Sequence, residues 1–162
     1  MDWDKATDII LLSSLLALAT FAGLGLYQWL TRKSLKKVDR PLIFMLPPLA
    51  LMAATYFVFD KILILNTRPD GSGEPSFPST HVMVVATIFL LIALILPRFL
   101  NKKPLRIAIY TLMLILTILV CVGRVLANKH WPSDVMGGLV FAVIFAGIYR
   151  LLLKYYSPPP ES

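Results

Sequence analysis

The sequence is poor in two kinds of residue that soluble enzymes use freely, cysteines and charged side chains. Cys121 is the only cysteine among 162 residues, which excludes an intrachain disulfide and a metal site built on a cysteine cluster. Only 15% of the residues are charged, whereas 57% are hydrophobic. A soluble domain of this size cannot bury so much apolar surface, so the composition indicates a membrane protein.

Acidic residues are also scarce, with 9 Asp and Glu against 16 Lys and Arg and a net charge of +7. In a soluble protein this balance would suggest a nucleic-acid partner. Here the basic residues cluster in short segments between apolar runs, and no basic surface with interleaved aromatic residues is evident. We therefore expect no nucleic-acid partner and attribute the positive charge to membrane topology.

Five apolar runs are long enough to cross a bilayer, which takes about 20 residues for a helix. The segment that leads into the first run is acidic, the wrong sign for a secretory signal, so we predict that this run is retained as a span. The predicted fold is an all-α polytopic membrane bundle of about five helices, one domain over residues 1–162 with a disordered tail at 155–162. The predicted spans are residues 9–30, 41–59, 81–96, 107–122 and 135–153.

With five spans, the basic segments 31–40 and 98–106 and the C-terminal end of the last span lie on one face. The positive-inside rule makes that face cytoplasmic. The N-terminus and the loops 61–80 and 123–134 then share the outer face, where the two loops can meet. We expect an integral protein of a bacterial inner or cell membrane, with its active site facing outward.

The second outer loop carries Arg124, His130 and Asp134. If a helix begins near Trp131, the Asp134 carboxylate can touch the His130 imidazole, fix its tautomer and leave the other ring nitrogen free to react. The Arg124 guanidinium suits phosphate or carboxylate oxygens. For this segment alone, a polar loop with a structural ion pair is an equally good interpretation.

The first outer loop begins with Lys61 and, seven residues on, Arg68. The two cations share a helix face if the second span extends to Arg68, although Lys61 alone could instead snorkel to the lipid headgroups. Ser79 is a good N-cap for the third span, whose free N–H groups favour an anion, but capping serines are common. His81 in the first turn offers a proton donor, and ionisable groups in membrane helices are costly enough to indicate function.

Together these loops offer cations and backbone donors that could enclose a tetrahedral oxyanion such as phosphate. Two histidines supply a nucleophile and an acid, which is what phosphoryl transfer needs without a metal or other cofactor. Metal ligation by His81, His130 and Asp134 is the rival interpretation. It is disfavoured because the surrounding cations would repel a divalent metal ion.

Three motifs in this order resemble the type 2 phosphatidic acid phosphatase (PAP2) superfamily of integral-membrane lipid phosphatases. They are Lys61-x6-Arg68-Pro69, Pro78-Ser79-Thr80-His81 and Arg124-x5-His130-x3-Asp134, a motif core over residues 61–134. By this resemblance His130 forms a phosphohistidine and is oriented by Asp134, while His81 protonates the leaving group. The resemblance implies that the phosphoryl oxygens are held by Lys61, Arg68, Ser79, Arg124 and a backbone N–H near Thr80.

The sequence departs from the family pattern at two positions. The family usually has glycine where Thr80 stands, a change that keeps the backbone N–H but tightens access. It usually has serine where Gly123 stands, and this change removes a hydroxyl that could contact phosphate. The family also often has six spans.

The resulting prediction is a metal-independent lipid phosphate or diphosphate phosphatase that acts at the outer membrane face. By resemblance, candidate substrates are undecaprenyl diphosphate, phosphatidylglycerol phosphate, phosphatidic acid and a lipid A phosphate. A lipid phosphotransferase with the same site is one alternative, and a non-enzymatic lipid-phosphate binding or transport protein is another. The choice among lipids and the oligomeric state remain open at this stage.

Overall fold

The computed structural model describes residues 2–156, and within that range the chain forms helices joined by loops. The α-helices are α1 (Trp3–Arg32), α2 (Arg40–Ile43), α3 (Leu46–Phe57), α4 (Thr80–Ile95), α5 (Lys103–Leu126) and α6 (Pro132–Tyr156). Short 3₁₀ turns lie at Leu35–Lys37 and Leu96–Arg98, and a π-helical turn at Val58–Ile62 extends α3.

Five helical stretches of residues 2–156 are long and apolar enough to cross a membrane. This confirms the predicted all-α bundle of about five spans. Each stretch begins before the apolar run from which it was predicted, because polar flanking residues continue the helical backbone. The stretches are Trp3–Arg32, Arg40–Ile62, Thr80–Arg98, Lys103–Leu126 and Pro132–Tyr156.

The second span is divided near its start. Helix α2 ends at Ile43 and α3 begins at Leu46, so Pro47 and Pro48 lie in the first turn of α3. Proline is tolerated there because first-turn N–H groups have no helical partner. The break between α2 and α3 therefore lies before the two prolines, and α3 is continuous after them.

Beyond α3 the chain does not meet the condition under which Lys61 and Arg68 would share a helix face. Helical backbone stops at Ile62, and the chain continues into an extended hairpin in which Thr67 pairs with Pro75. Gly71 and Gly73 have positive φ angles of 78° and 74°, a conformation that glycine adopts without steric cost and that permits this tight reversal. Lys61 and Arg68 therefore do not share a helix face.

Helix α4 is the centre of the bundle and packs against α1, α3, α5 and α6. It is apolar around its whole circumference, as expected of a helix buried on all sides. A side chain added at Gly138 of α6 would lie 2.9 Å from the Ser79 carbonyl oxygen at the start of α4. Ala142 and Ala146 are also buried, so small residues along one face of α6 let another helix approach it closely.

The two ends of the bundle differ in chemistry. At one end Gln28 donates to the Asp39 carboxylate over 2.8 Å, and Arg40 donates to the Tyr156 carbonyl oxygen over 2.9 Å. Because α6 continues to Tyr156, the first two residues of the predicted tail are helical, and residues 157–162 lie outside the described range. The other end gathers the first turns of α1, α4 and α6, the last turn of α5, and the two loops predicted to meet.

Candidate active site

His130 is the centre of this polar end. Helix α5 is followed by Asn128 with φ of +56°, a left-handed conformation that asparagine tolerates better than most residues. The turn carries the chain back, so that the His130 N–H donates to the Arg124 carbonyl oxygen over 3.3 Å. The His130 side chain is buried where the loops 61–80 and 123–134 meet, with 5% of its surface exposed.

The orientation of the His130 ring is set by a backbone carbonyl. Its Nδ1 lies 2.8 Å from the Ser76 carbonyl oxygen, and because a carbonyl only accepts, Nδ1 carries the proton. Nε2 therefore keeps its lone pair. The Asp134 carboxylate lies 3.8 Å from Nδ1, beyond hydrogen-bond distance, and instead accepts the Trp131 N–H over 2.9 Å. Ser76 thus supplies the hydrogen bond that we expected from Asp134, which acts on the ring through its nearby charge.

Burial, and to a smaller extent the neighbouring Arg124 charge, lower the pKa of His130 from 6.5 to about 4. The Ser76 hydrogen bond and the Asp134 charge oppose this shift with smaller effects. At neutral pH the imidazole is therefore uncharged. An uncharged ring with a free Nε2 is the form that can attack phosphorus.

Arg124 lies in the last turn of α5 and is almost completely buried. Its Nη1 donates to the Asp4 carboxylate over 2.6 Å and to the Thr7 hydroxyl over 3.3 Å, both on α1. Its Nε is buried and has no hydrogen-bond partner within residues 2–156. The guanidinium is thus fixed at one edge and has a free donor at the other.

Arg68 reaches the same region from the hairpin. Its Nη1 forms an ion pair of 2.6 Å with Glu74, and its Nε is buried with no partner in the described part of the chain. The Arg68 charge, like that of Arg124, acts on the His130 imidazole. Both arginines therefore have an unpaired guanidinium donor among the described residues, and the charge of each acts on His130.

Ser79 precedes α4 as predicted, but its hydroxyl makes no capping hydrogen bond. Its backbone N–H donates instead to the Asp134 carbonyl oxygen over 2.9 Å. The buried hydroxyl has no partner among residues 2–156. The first hydrogen bond of α4 runs from the Met83 N–H to the Ser79 carbonyl oxygen. The N–H groups of residues 80–82 therefore have no acceptor within the helix. This is the arrangement of an anion site at a helix N-terminus.

His81 lies in the first turn of α4, and its Nε2 is 2.8 Å from a carboxylate oxygen of Asp8. The sequence alone indicated no role for Asp4, Thr7 or Asp8. Their signal was present in the spacing, because residues three and four apart share one helix face. Only the packing of α1 shows that this face points at Arg124 and His81.

Lys61, a predicted phosphate ligand, pairs with the carboxylate of the residue before it in the chain. Its ammonium is 2.7 Å from the Asp60 carboxylate, and 63% of the side chain is exposed. Asp60 is its partner among the ion pairs of the described residues. The structure therefore brings together Arg68, Ser79, Arg124 and the two histidines, and leaves Lys61 at the margin.

Direct contacts between the two loops hold this arrangement in place. The Lys129 ammonium lies 3.0 Å from the Asp70 carboxylate, and the Trp131 indole N–H donates to the Thr67 carbonyl oxygen over 2.9 Å. Hydrogen bonds from Ser72, and then the one from Lys129, hold the pKa of Asp70 well below its usual range. Asp70 is therefore ionised throughout the neutral range, and the loop contact persists.

The donor set fits an anion better than a cation. The free groups are guanidinium N–H, hydroxyl and backbone N–H, which are donors to phosphoryl oxygens. Within residues 2–156, no group of three or more His, Cys, Asp or Glu side chains is placed to hold a metal ion.

The neutral state of His130 leads to a direct prediction. The chain has two histidines, so the His81→Ala variant, produced without a tag, leaves His130 as the sole imidazole. Its nitrogen-15 chemical shifts should titrate with a midpoint near 4 rather than 6.5, because burial disfavours the charged ring. Circular dichroism at each pH verifies that the fold is intact. A midpoint at or above 6.5 would contradict the neutral state assigned to His130.

Comparisons with known proteins identify the family of this chain. The family model of the PAP2 superfamily matches residues 14–157. A crystal structure of a transmembrane PAP2-type phosphatidylglycerolphosphate phosphatase from Bacillus subtilis has the same fold, with a TM-score of 0.72 at 20% identity over 94% of this chain and 77% of that one. A search of curated protein sequences gave no significant match. Since the family model covers most of the sequence, the chain belongs to the PAP2 superfamily and is a membrane phosphatase of that type.

Proposed function

We propose that this protein removes a phosphate group from a membrane lipid phosphate or diphosphate through a phosphohistidine on His130, without a metal ion. The observation that carries the proposal is that three buried donors of predicted phosphate ligands, Arg68 Nε, Ser79 Oγ and Arg124 Nε, have no hydrogen-bond partner within residues 2–156. Each belongs to a residue whose charge acts on His130 or whose backbone bonds Asp134. A phosphoryl group placed against them would satisfy buried donors that are otherwise costly.

The first chemical step is attack by His130 Nε2 on phosphorus. A nitrogen–phosphorus bond forms as the bond from phosphorus to the leaving oxygen breaks, and His81 transfers its proton to that oxygen. The guanidinium, hydroxyl and α4 backbone donors hold the three equatorial oxygens, where negative charge is spread in the transition state. The nearby Asp134 carboxylate stabilises the positive charge that the His130 ring gains.

The second step releases phosphate. A water molecule attacks phosphorus, the nitrogen–phosphorus bond breaks, and the electron pair returns to His130 Nε2. His81, left neutral by the first step, accepts the proton from the water and regains its charged form. The sum of the two steps is the hydrolysis of one phosphate ester or anhydride bond, with both histidines restored.

A lipid substrate is supported by the surface beside the site. The segment 62–65 between α3 and the hairpin is a run of Ile and Leu whose side chains are exposed. At the membrane boundary such a run is in contact with lipid, not water. The related B. subtilis protein is named for phosphatidylglycerolphosphate, and a lipid phosphate of that kind, undecaprenyl diphosphate, phosphatidic acid or a lipid A phosphate would each present its phosphate here.

We further propose that the site faces away from the cytoplasm, because the basic loops gather at the opposite end of the bundle. In a Cys121→Ala background, a cysteine at the exposed hairpin position Ser72 should react with a membrane-impermeant thiol reagent in intact cells. A cysteine at Asn101, exposed at the basic end, is the matched control and should react only after lysis. The reverse pattern would overturn the proposed orientation.

The two histidines should respond differently to the leaving group. His130→Ala should abolish phosphate release from every substrate, since no other group forms the covalent bond. His81→Ala removes only the acid and should slow hydrolysis of lipid monophosphates by about 10²–10⁴-fold, the usual contribution of a general acid. Lipid diphosphates should be far less affected, because a departing phosphate needs little protonation.

The measurement is initial phosphate release by purified variants from matched monophosphates and diphosphates of one lipid chain. Thermal unfolding in detergent serves as the control for folding. Equal losses on both substrate types in His81→Ala, or retained turnover in His130→Ala, would show that the assigned roles are wrong.

A further inference from the structure

The first two turns of α1 pack directly against the active-site end of α5. A Cβ atom added at Gly123 would lie 2.6 Å from Thr7 Cγ2 and 3.3 Å from a ring carbon of Trp3. Real Cβ contacts are not this short, so the close approach of α1 depends on the absence of a side chain at position 123. Thr7 is fully buried in this contact.

This packing turns an acidic face of α1 toward the site. Asp4 and Asp8 are four residues apart, so they lie one above the other on the same face of the helix. Asp4 accepts from Arg124, while an Asp8 carboxylate oxygen lies 2.8 Å from His81 Nε2. Each carboxylate thus meets one member of the site.

We propose that Asp8 is a positioning residue for His81, which holds the imidazole so that Nδ1 serves the leaving oxygen. A carboxylate only accepts, so its contact fixes the proton on Nε2 and the ring plane with it. The inference rests on the proposed function, since it assigns an orienting partner to the acid of that reaction.

The proton balance is simple. In the charged ring both nitrogens carry protons, one toward Asp8 and one toward the leaving oxygen. When the phosphorus–oxygen bond breaks, the Nδ1 proton moves to that oxygen. The neutral ring keeps its proton on Nε2, which donates a hydrogen bond to the Asp8 carboxylate. Hydrolysis of the phosphohistidine then returns a proton from water to Nδ1. Asp8 remains ionised throughout, and its role is orientation and charge stabilisation.

The charges that face His81 come from two helices, Asp4 and Asp8 on α1 and Arg124 on α5. Asp4 is already paired with Arg124, whereas Asp8 has its hydrogen bond to His81. The Asp8 side chain is 60% exposed, and an ion pair this open to solvent contributes little to stability. Replacing Asp8 should therefore test chemistry without unfolding the protein.

The experiment is a double-mutant cycle between Asp8→Asn and His81→Ala, with kcat and KM measured on a lipid monophosphate and the matching diphosphate. Alone, Asp8→Asn should lower kcat on the monophosphate by about 10- to 100-fold, part of the contribution of a general acid. It should change kcat on the diphosphate by less than about threefold and leave KM nearly unchanged. In the His81→Ala background it should have no further effect, because residues that act through one another are not additive.

Two matched variants complete the design. Asp2→Asn removes the same charge from the start of α1, where Asp2 contacts Lys5, and should leave both activities unchanged. Asp8→Glu keeps a carboxylate that can reach Nε2 and should retain more monophosphate activity than Asp8→Asn. Thermal unfolding in detergent verifies that each variant is folded.

Losses that add to those of His81→Ala, or that are equal on both substrates, would overturn the proposal. A rise in activity would also overturn it, since Asp8 would then be an anion competing with the substrate. Failure of the underlying function appears differently. The unmodified protein would release no phosphate from any lipid phosphate, or the His130→Ala variant would release phosphate as fast as the unmodified protein.

Discussion

The backbone hydrogen bond from the Ser79 N–H to the Asp134 carbonyl, 2.9 Å long, joins the first turns of α4 and α6. The active site depends on this bond, because each of the two turns positions one histidine. His81 follows Ser79 in the first turn of α4, and His130 lies just before α6. The bond requires the two helices to touch, and Gly138 permits this by presenting no side chain to the Ser79 carbonyl. A structural glycine in a membrane helix thus fixes the distance between the proposed acid and the proposed nucleophile.

Around this contact the protein balances buried charge. Arg124 lies at the end of a membrane helix, where an unpaired cation is costly, and Asp4 supplies the counter-charge. Arg68 is paired in the same way with Glu74. Within residues 2–156 each guanidinium still has an Nε without a hydrogen-bond partner, so the ion pair stabilises each cation and leaves one donor available. The same burial keeps His130 neutral, the form that its proposed role as a nucleophile requires, and so links the stability of the site to its proposed chemistry.

The sequence was informative wherever side chains carry the signal. Long apolar runs predicted the five spans, and the number of spans together with the clustering of basic residues indicated which loops meet. It was uninformative wherever backbone geometry decides. The Ser76 carbonyl that orients His130 has no side-chain signature, and the end of helix at Ile62 depends on a hairpin formed by later residues. The acidic face of α1 could not be placed beside His81 before Gly123 and Thr7 were seen in contact.

A covalent phosphohistidine on His130 is the central claim, and rapid-quench trapping tests it most directly. A lipid diphosphate labelled in its terminal phosphoryl group should give a phosphoprotein that is labile to acid and stable to base. Its label should map to the peptide that contains His130, and the His130→Ala protein should not acquire it. Turnover with no labelled protein at any time, or label mapped to His81, would contradict the account.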